Sequence, residues 1–319
     1  MKNLKSQKIT VRFSCTKNIH INAWTGAVVR NHFLFATSRI GTGNGKNLLQ
    51  KIRECPLERT HPLYKSMAAG FPPPFVADCR NMLDNQYPTQ FHLTAGKEYS
   101  LPIVVFGNHT ELLPQYAEAV LFFAQRGIGP SRIRLQISDI STEQEVFTDI
   151  SIPAPQSIST PKRTKISLCL QTPVCLFHPT RKRHTANTFQ DRMNGFPSFY
   201  QIVRSLLYRH VTLKALHDNG QETSIDQINQ VVENRAILAA EAELTEAGIH
   251  YVEINSTRKP HQSTPYKMQG YTGELSFCNV PPDLLPLLDW GQTAGVGNDI
   301  SYGLGLYAIQ TPKANQRTT

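Results

Sequence analysis

Alternating hydrophobic and polar positions predict strands in both halves of the chain. Lys8–Cys15 alternates with a period of two, which is typical of a strand that buries one face. The same kind of pattern returns in later segments, which are Arg132–Ile140, Lys165–Pro173, His250–Ile254, Gly270–Phe277 and Leu304–Ile309. Residues 88–106 are predicted to contain two further strands that pair with each other.

Helices are predicted between these strands. Leu112–Arg126 has apolar side chains at positions spaced for burial on one face, and Pro281–Trp290 is a short apolar segment typical of a buried helix. Glu222–Ala247 is acidic and rather helical, with a first part that is also compatible with a loop. Further helices are predicted at 22–36 and 196–217. The consecutive prolines in Gly70–Val76 exclude a helix and predict an extended segment along the surface.

The order helix, Gly-x-Gly, alternating strand occurs twice, at 112–140 and at 284–309. This weak internal repeat predicts two tandem copies of one supersecondary plan. Pro153–Pro161 has the composition of a linker between the copies. We therefore predict an α+β protein with two antiparallel-sheet domains. Its parts are a first domain at 1–150, a linker at 151–162, a second domain at 163–310 and a tail at 311–319.

The composition is that of a basic globular protein. Of the 319 residues, 40% are hydrophobic and 18% are charged, and the formal net charge is +9. An acidic partner is therefore expected, with nucleic acid ahead of a membrane surface, while a basic protein without a polyanion partner stays open as an alternative. No apolar stretch approaches the ~18 residues of a membrane-spanning helix, and the N-terminus has no signal-peptide pattern.

The six cysteines are scattered along the chain, with no Cys-x-x-Cys pair. This spacing favours reduced thiols over a disulfide framework or a zinc site. A cytoplasmic protein without a bound metal is expected.

The segment 291–307 is rich in glycine, with Gly295, Gly297, Gly303 and Gly305 between a predicted helix and a predicted strand. Adjacent glycines can turn several backbone N–H groups toward one anion, or they can be present only because a tight turn requires them. Both alternatives are open from the glycines alone. The order helix then strand argues against a dinucleotide or Walker site, in which the glycines follow a strand and precede a helix.

The C-terminal motifs resemble a known family. Gly270-Tyr-Thr-Gly-Glu274 precedes the predicted helix, and Gly295-Val-Gly-Asn-Asp-Ile-Ser-Tyr-Gly-Leu-Gly305 follows it. Weaker matches are Val105–Gly107, Gly127–Gly129 and Leu206–His210. On these residues the sequence resembles the CRISPR-associated precursor-crRNA processing endoribonucleases of the RAMP superfamily. The resemblance extends over nearly the whole chain, from the first strand to Tyr307.

This resemblance implies a fold and an activity. The family has two tandem ferredoxin-like domains, βαββαβ in order and similar to RRM domains, with the glycine-rich loop against an RNA-binding cleft. It implies cleavage of CRISPR repeat RNA in precursor crRNA without metal or cofactor, which leaves a 2′,3′-cyclic phosphate and a 5′-hydroxyl. The sequence departs from the family at Asn298, where relatives often carry lysine. Only Cys55 and Cys79 remain where many relatives have paired cysteines, so no zinc is implied.

Cleavage of this kind needs a base for the 2′-hydroxyl, an acid for the leaving 5′-oxygen and a cation for the charge on phosphorus. Histidine suits proton transfer because an imidazole titrates near neutrality. In the family that the chain resembles, the catalytic histidine comes from the first helix or the loop around it. This implies His32 or His20 as the catalytic residue, with His61 as a more distant third candidate.

RNA binding requires cations for phosphates and planar groups for bases. The candidate RNA-binding residues are Arg30, Lys46, Arg181, Lys182, Arg183, Gly295, Gly297, Asn298, Ser301, Gly303 and Gly305. The expected partners are CRISPR repeat RNA or crRNA and a CRISPR effector complex, with no membrane, and the chain is expected to be a monomer or a homodimer. Two rival functions stay open, a RAMP subunit that holds crRNA without cutting it and a small-molecule enzyme on a ferredoxin-like fold.

Overall fold

The computed structural model describes residues 4–43, 45–67, 71–85, 89–145, 150, 164–176, 197–217, 223–255 and 267–310. The predicted linker at 151–162, the basic residues Arg181, Lys182 and Arg183, and the tail at 311–319 lie outside the described residues. In the part of the chain that is described, no helix is long and apolar enough to cross a membrane. All six cysteines are described, and they are free thiols.

The first half contains six described strands, four in a main sheet and two in a small second sheet, together with helices. Its strands are β1 Ser6–Cys15, β2 Ile19–Ile21, β3 Phe75–Ala77, β4 Phe91–Leu93, β5 Tyr99–Phe106 and β6 Leu135–Glu145. Its helices are α1 Thr25–Thr37, α2 Leu48–Arg53, α3 Tyr64–Met67 and α4 Leu113–Arg126. The main sheet has the order β3-β5-β1-β6, and each neighbouring pair is antiparallel.

The second half repeats this arrangement. Its elements are β7 Thr164–Val174, α5 Phe199–His217, α6 Ile225–Ala236, β8 Glu243–Asn255, β9 Lys267–Val280, α7 Leu285–Ala294 and β10 Tyr307–Gln310. The sheet order β10-β7-β9-β8 is the same order as in the first half, read from the other edge, and it is again antiparallel. Each half is therefore a βαββαβ unit. The prediction of an α+β fold with two tandem ferredoxin-like units is confirmed.

Short strands account for two wrong predictions. β4 and β5 both lie within 88–106, but they do not pair with each other, because β5 pairs with β1 on one side and β3 on the other. β4 pairs with β2 instead. The proline-rich segment does not simply follow the surface, since Phe75–Ala77 is a buried strand at the sheet edge directly after the prolines. Proline has no N–H group to donate to a neighbouring strand. An edge strand tolerates this loss because one of its sides has no partner strand.

The acidic segment 222–247 is only partly helical. α6 covers Ile225–Ala236, and β8 begins at Glu243. β8 pairs with β9 on one side only and is the edge strand of its sheet. Exposed charges such as Glu243 and Glu246 suit an edge strand, because they discourage pairing with another chain. The prediction of a helix is wrong for this last part.

The two halves share part of a hydrophobic core. Val76, Val104 and Phe106 of the first sheet pack in the same cluster as Leu206 and Trp290 of the second half. The ring centroids of Phe106 and Trp290 are 6.3 Å apart. Burial of apolar surface from both halves stabilises their contact.

Arg80, just after β3, adds polar contacts across the halves. Its Nη1 donates to the Tyr307 carbonyl oxygen at 3.0 Å and to Gln171 Oε1 at 2.9 Å. The carboxylate of Asp78 accepts hydrogen bonds from Nε and Nη2, which orients the guanidinium. These contacts join β3 to β7 and β10.

Candidate active site

The N–H groups of the four glycines in the glycine-rich segment donate inside the protein. Gly295 donates to Gly291 O at 2.9 Å, and Gly303 donates to Ile300 O at 2.9 Å. The other two reach distant elements, Gly297 to Ser205 Oγ at 2.9 Å and Gly305 to Pro173 O at 3.0 Å. These donors are therefore not directed at one anion. The sequence leaves two alternatives open, an anion-binding loop and a tight turn that requires glycine. The structure supports the tight turn.

Two of these glycines show the steric requirement directly. Gly297 and Gly305 have φ values of +87° and +78°, a region that L side chains rarely adopt. A Cβ at Gly297 would lie 2.3 Å from Cys175 O, and one at Gly305 would lie 2.0 Å from Val296 O. The glycines shape the segment so that Ser301 and Tyr302, at its tip, face α1.

The first turn of α1 contacts this segment. The indole Nε1 of Trp24, the residue before the helix, donates to the Tyr302 carbonyl oxygen at 2.7 Å. Gly26 lies in the first turn, and a Cβ there would be 1.8 Å from the same oxygen. Trp24, Ala27 and Leu304 form a small buried cluster with side chains of the second sheet. We call this contact between the start of α1 and the segment 299–305 the junction.

Arg30 is the cation at the junction. Its Nε donates to Ser301 Oγ at 3.1 Å, and its guanidinium lies 4.2 Å from the ring centroid of Tyr302. Burial lowers the pKa of Arg30, the Tyr302 and Asp299 charges act in the opposite direction, and Arg53 adds to the lowering. The structure therefore brings together two predicted RNA-binding residues, Arg30 and Ser301. A half-buried, oriented guanidinium is suited to a phosphate because its planar face of donors is already positioned.

Tyr302 is a site residue that the sequence analysis does not single out. The available signal is its position within the glycine-rich segment, directly after Ser301. An aromatic ring at such a turn offers a surface for a guanidinium or for an unstacked base.

His32 lies on another face of α1. His32 follows Arg30 by two positions in the helix, which corresponds to a rotation of about 200° around the helix axis. Its ring centroid is 5.8 Å from that of Phe123 on α4. Burial lowers the pKa of His32, and the nearby charge of Arg126 lowers it further. His32 therefore faces α4 and not the glycine-rich segment, and its catalytic role stays a prediction.

His20 is exposed on β2 and lies directly opposite His92 on β4. The two ring centroids are 5.9 Å apart, and Nδ1 of His92 lies 2.8 Å from Oδ2 of Asp84. The sequence analysis misses His92 and Asp84. A signal is present, because the same apolar–His–apolar triplet occurs at Ile19–Ile21 and at Phe91–Leu93.

The remaining described candidates make contacts within the protein. Lys46 follows α1 in the loop that precedes α2, and its Nζ lies 2.6 Å from Glu54 Oε1. That contact lowers the pKa of Glu54. The N–H of Asn298 donates to Cys175 O at 2.7 Å, so its backbone holds the glycine-rich segment against the end of β7. Their assignments as RNA-binding residues stay predictions.

In the described ranges, no group of three or more His, Cys, Asp or Glu side chains has the arrangement of a metal site.

Comparison with known proteins relates the two halves of the chain to two family models. Residues 168–307 match the family model of the CRISPR-associated endoribonuclease Cas6. Residues 4–164 match a second family model, which is described as an N-terminal domain. The second ferredoxin-like unit is therefore similar to the Cas6 family. No curated protein matches it.

Solved structures share the fold of this chain at low identity. A product complex of Cas6 from Thermus thermophilus is 16% identical, with a TM-score of 0.58 over 96% of this chain and 99% of that chain. A partial Cas6-RT-Cas1–Cas2 complex has a matching chain that is 11% identical, with a TM-score of 0.55 over 97% of this chain and 46% of that chain. A RAMP protein described as binding different RNA substrates is 10% identical, with a TM-score of 0.50 over 95% and 99% of the two chains. Identities this low show the fold alone.

The chain thus places Arg30 and its glycine-rich segment at one contact between the two ferredoxin-like units. The contact includes Arg30, Ser301 and Tyr302. A group that binds there meets donors from both halves of the chain at once.

Proposed function

We propose that the protein is an endoribonuclease that cleaves CRISPR repeat RNA in precursor crRNA, without metal, to leave a 2′,3′-cyclic phosphate and a 5′-hydroxyl. The observation that carries this proposal is the placement of Arg30 of α1 on Ser301 and Tyr302 of the glycine-rich segment. The match of residues 168–307 to the family of the CRISPR-associated endoribonuclease Cas6 suggests the class of substrate.

The charge of the protein supports an RNA substrate. The formal net charge of +9 attracts a polyanion before any specific contact forms. Arg30 then offers a positioned cation for one phosphate. A neighbouring tyrosine ring offers a face on which an unstacked base can lie.

The chemistry at the phosphate needs the charge that Arg30 carries. When the 2′-oxygen attacks phosphorus, negative charge accumulates on the non-bridging oxygens before the bond to the 5′-oxygen breaks. A cation aimed at those oxygens in a half-buried site lowers the energy of that state more than the energy of the bound substrate. Arg30 is thus proposed to stabilise the transition state as well as to bind RNA.

The solved relatives are consistent with this assignment. One is a Cas6 product complex, and another is a RAMP protein that binds RNA substrates. A third is part of a complex of Cas6 with Cas1 and Cas2, which supports association of this chain with other CRISPR proteins as part of the proposal.

Single-turnover cleavage of the cognate repeat RNA in EDTA tests the proposal. We expect wild type to cleave, Arg30→Ala to lose about 10²-fold or more in rate, and Arg30→Lys to recover only part of it, because lysine lacks the planar guanidinium. Arg204→Ala is the matched control, since Arg204 carries the same charge in an exposed ion pair with Glu233 on another surface. We expect the control to cleave at the wild-type rate.

Binding is measured on the same samples by gel shift. If wild type binds repeat RNA and never cleaves it, the chain is a RAMP subunit that holds RNA. If Arg30→Ala and Arg204→Ala cleave equally well, the junction is not the catalytic centre.

A further inference from the structure

Two arginines at the C-terminal ends of α1 and α4 lie over one aromatic ring. Arg126 is the last residue of α4, and Arg39 follows the end of α1 by two positions. The guanidinium carbon of Arg126 lies 3.4 Å from the ring centroid of Phe35, and that of Arg39 lies 5.1 Å from the same centroid. We call the set Phe35, Arg39, Phe122 and Arg126 the arginine surface.

Helical periodicity brings these side chains together. Phe35 and Arg39 are four positions apart, and Phe122 and Arg126 are four positions apart, so each pair lies along one side of its helix. The ring centroids of Phe35 and Phe122 are 6.4 Å apart, with the rings tilted by 33°. Contact between the two rings holds the pairs next to each other. Arg39 is exposed, and the other three side chains are half-buried.

The aromatic ring orients the two cations without neutralising them. In the ranges of the chain that the structure describes, neither Arg39 nor Arg126 forms an ion pair with a carboxylate. The negative face of the ring offsets part of the repulsion between the two like charges. A guanidinium stacked on a ring keeps N–H donors at its edge, where a phosphate can accept two of them. The arrangement is therefore suited to anions.

The arginine surface is separate from the junction. Arg39 follows Arg30 by nine positions, which corresponds to about 14 Å along the helix axis and half a turn around it. Phe35 lies on the side of α1 that meets α4, whereas Arg30 contacts Ser301 of the glycine-rich segment. A change at the arginine surface should therefore leave the contacts of Arg30 intact.

The chemistry of the surface matches single-stranded RNA. Guanidiniums bind phosphates, and an accessible aromatic ring offers a face to an unstacked base. Phe122 is half-buried, and its neighbour Leu121 is 38% exposed, so apolar atoms are accessible beside the cations. Because the proposed substrate is itself RNA, this partner is present whenever the protein acts.

We propose that the arginine surface binds phosphates of the RNA that extends beyond the cleaved bond, and that Phe122 receives one of its bases. This inference goes beyond the proposed function, because it concerns affinity and not cleavage. It rests on that function only for the choice of RNA as the ligand. Phosphate contacts carry no sequence information, so the surface should accept flanking RNA of any sequence.

Binding of a repeat RNA with flanking nucleotides at both ends tests this inference. A single 2′-deoxy nucleotide at the cleaved position keeps the RNA intact during the measurement in EDTA. We expect Arg39→Ala/Arg126→Ala to bind about tenfold more weakly than wild type. The slope of log K against log[salt] should become shallower by about 1.4, because two phosphate contacts on a single strand are lost.

Arg12→Ala/Arg204→Ala is the matched control. It removes the same amount of charge from two exposed ion pairs, which Arg12 forms with Asp139 and Arg204 with Glu233. We expect this control to keep the wild-type affinity and slope. Single-turnover cleavage of the all-ribose RNA at saturating protein should be within threefold of wild type in both double variants, because neither changes the junction.

Phe122→Leu separates stacking from charge. Leucine keeps an apolar contact with Phe35 but has no ring face for a base. We expect this variant to bind about fivefold or more weakly, the lower end of what one stacked base contributes, with an unchanged salt slope. Urea unfolding of each variant shows that binding is measured on folded protein. Wild-type affinity in Phe122→Leu would overturn the base contact.

The outcomes distinguish this inference from its rivals. Wild-type affinity and slope in Arg39→Ala/Arg126→Ala would overturn it, and a loss of stability alone would assign the arginines to the helix C-termini, where cations are favoured. Equal losses of affinity in the two double variants would also overturn it, because net charge alone would then account for binding. Should the double alanine variant not fold, Arg39→Ala alone replaces it, with an expected change in slope of about 0.7.

Failure of the proposed function gives a different result. If wild type binds the RNA through the arginine surface but never cleaves the all-ribose form, the nuclease function fails and this inference stands. If wild type does not bind repeat RNA, both fail.

Discussion

Gly26 lies in the first turn of α1, where the helix approaches the carbonyl oxygen of Tyr302. A Cβ at this position would be 1.8 Å from that oxygen, and the oxygen belongs to backbone that cannot rotate away. It also accepts the indole hydrogen bond of Trp24. At the scale of single residues, the junction therefore depends on the absence of a Cβ at Gly26 as well as on the charge of Arg30.

We expect Gly26→Ala to separate α1 from the glycine-rich segment. Overpacking of this kind lowers the free energy of unfolding by about 1–3 kcal/mol. Loss of the Arg30–Ser301 contact should also reduce the rate of RNA cleavage at temperatures where the protein is still folded. Urea unfolding and single-turnover cleavage measure the two effects. Gly41→Ala is the control, because a Cβ there meets no atom within 4 Å. Equal cleavage by the two variants would contradict the role given to this contact.

The glycine-rich segment shows which part of a site a sequence can predict. Its glycines and its place between a helix and a strand are visible in the printed chain, and Arg30 and Ser301, which the structure brings into contact, are both among the candidates. The hydrogen-bond partners of its N–H groups are not visible, since Gly297 donates to Ser205 and Gly305 to Pro173, both far away in sequence. An anion-binding loop and a tight turn can have the same glycine pattern. Only the hydrogen-bond acceptors of the glycine N–H groups distinguish them.

At the scale of elements, α1 turns two different faces toward its neighbours. One carries Trp24 and Arg30 to the junction, and the other carries His32 to α4. Helical periodicity fixes this separation, because residues two positions apart lie on different faces.

We expect Trp24→Phe to weaken both stability and cleavage. Phenylalanine cannot donate to the Tyr302 carbonyl, and a buried acceptor without its partner costs about 1–3 kcal/mol. Trp290→Phe is the matched control, since it removes an equally buried indole that packs on Phe106 and His210 in a different core cluster from that of Trp24. Thermal or urea unfolding should show both variants destabilised, while only Trp24→Phe should cleave more slowly below its unfolding transition. Loss of cleavage in both to the same degree would argue against a specific role for the indole bond.

Long elements and short elements differ in how well the sequence predicts them. The long strands β1, β7 and β9 and the helices α4 and α5 all lie where periodicity predicts them. β2, β3 and β4 have three residues each, which is too short to display a period. The pairing of β2 with β4 joins residues about seventy positions apart, so His20 and His92 become neighbours only through the fold.

At the scale of the whole molecule, two buried histidines lie where the halves meet. The ring centroids of His109, from the first half, and His217, at the end of α5, are 5.7 Å apart. The pKa of each is lowered to about 4, mainly by burial, and for His109 the nearby His217 and Lys51 contribute to that lowering. Nδ1 of His109 lies 3.1 Å from the hydroxyl of Tyr116, while neither nitrogen of His217 has a hydrogen-bond partner within the described residues.

These histidines predict loss of stability in mild acid. Both rings are neutral in the folded protein but bind protons in the unfolded chain below a pKa of about 6.5. Stability from this source is therefore complete above pH 6.5 and falls as the pH decreases toward 4, by up to about 3 kcal/mol for each ring.

Urea unfolding measured from pH 7.5 to pH 4.5 tests this effect. His217→Leu should make the free energy of unfolding less dependent on pH. It removes one titrating imidazole and also the charge that lowers the pKa of His109. His250→Gln, an exposed histidine on β8, should keep the wild-type slope. A wild-type stability that is constant over this range would contradict the buried, neutral state of the pair.

The central claim is that the junction belongs to a metal-independent nuclease site for repeat RNA. End-group analysis of single-turnover products in EDTA tests it most directly, with an all-ribose repeat RNA and one that carries a single 2′-deoxy nucleotide at the cleaved position. The account predicts a 2′,3′-cyclic phosphate and a 5′-hydroxyl from the first RNA and no cleavage of the second, although both bind equally well. Cleavage of the deoxy-substituted RNA at the same position, or cleavage that requires a divalent metal, would contradict it.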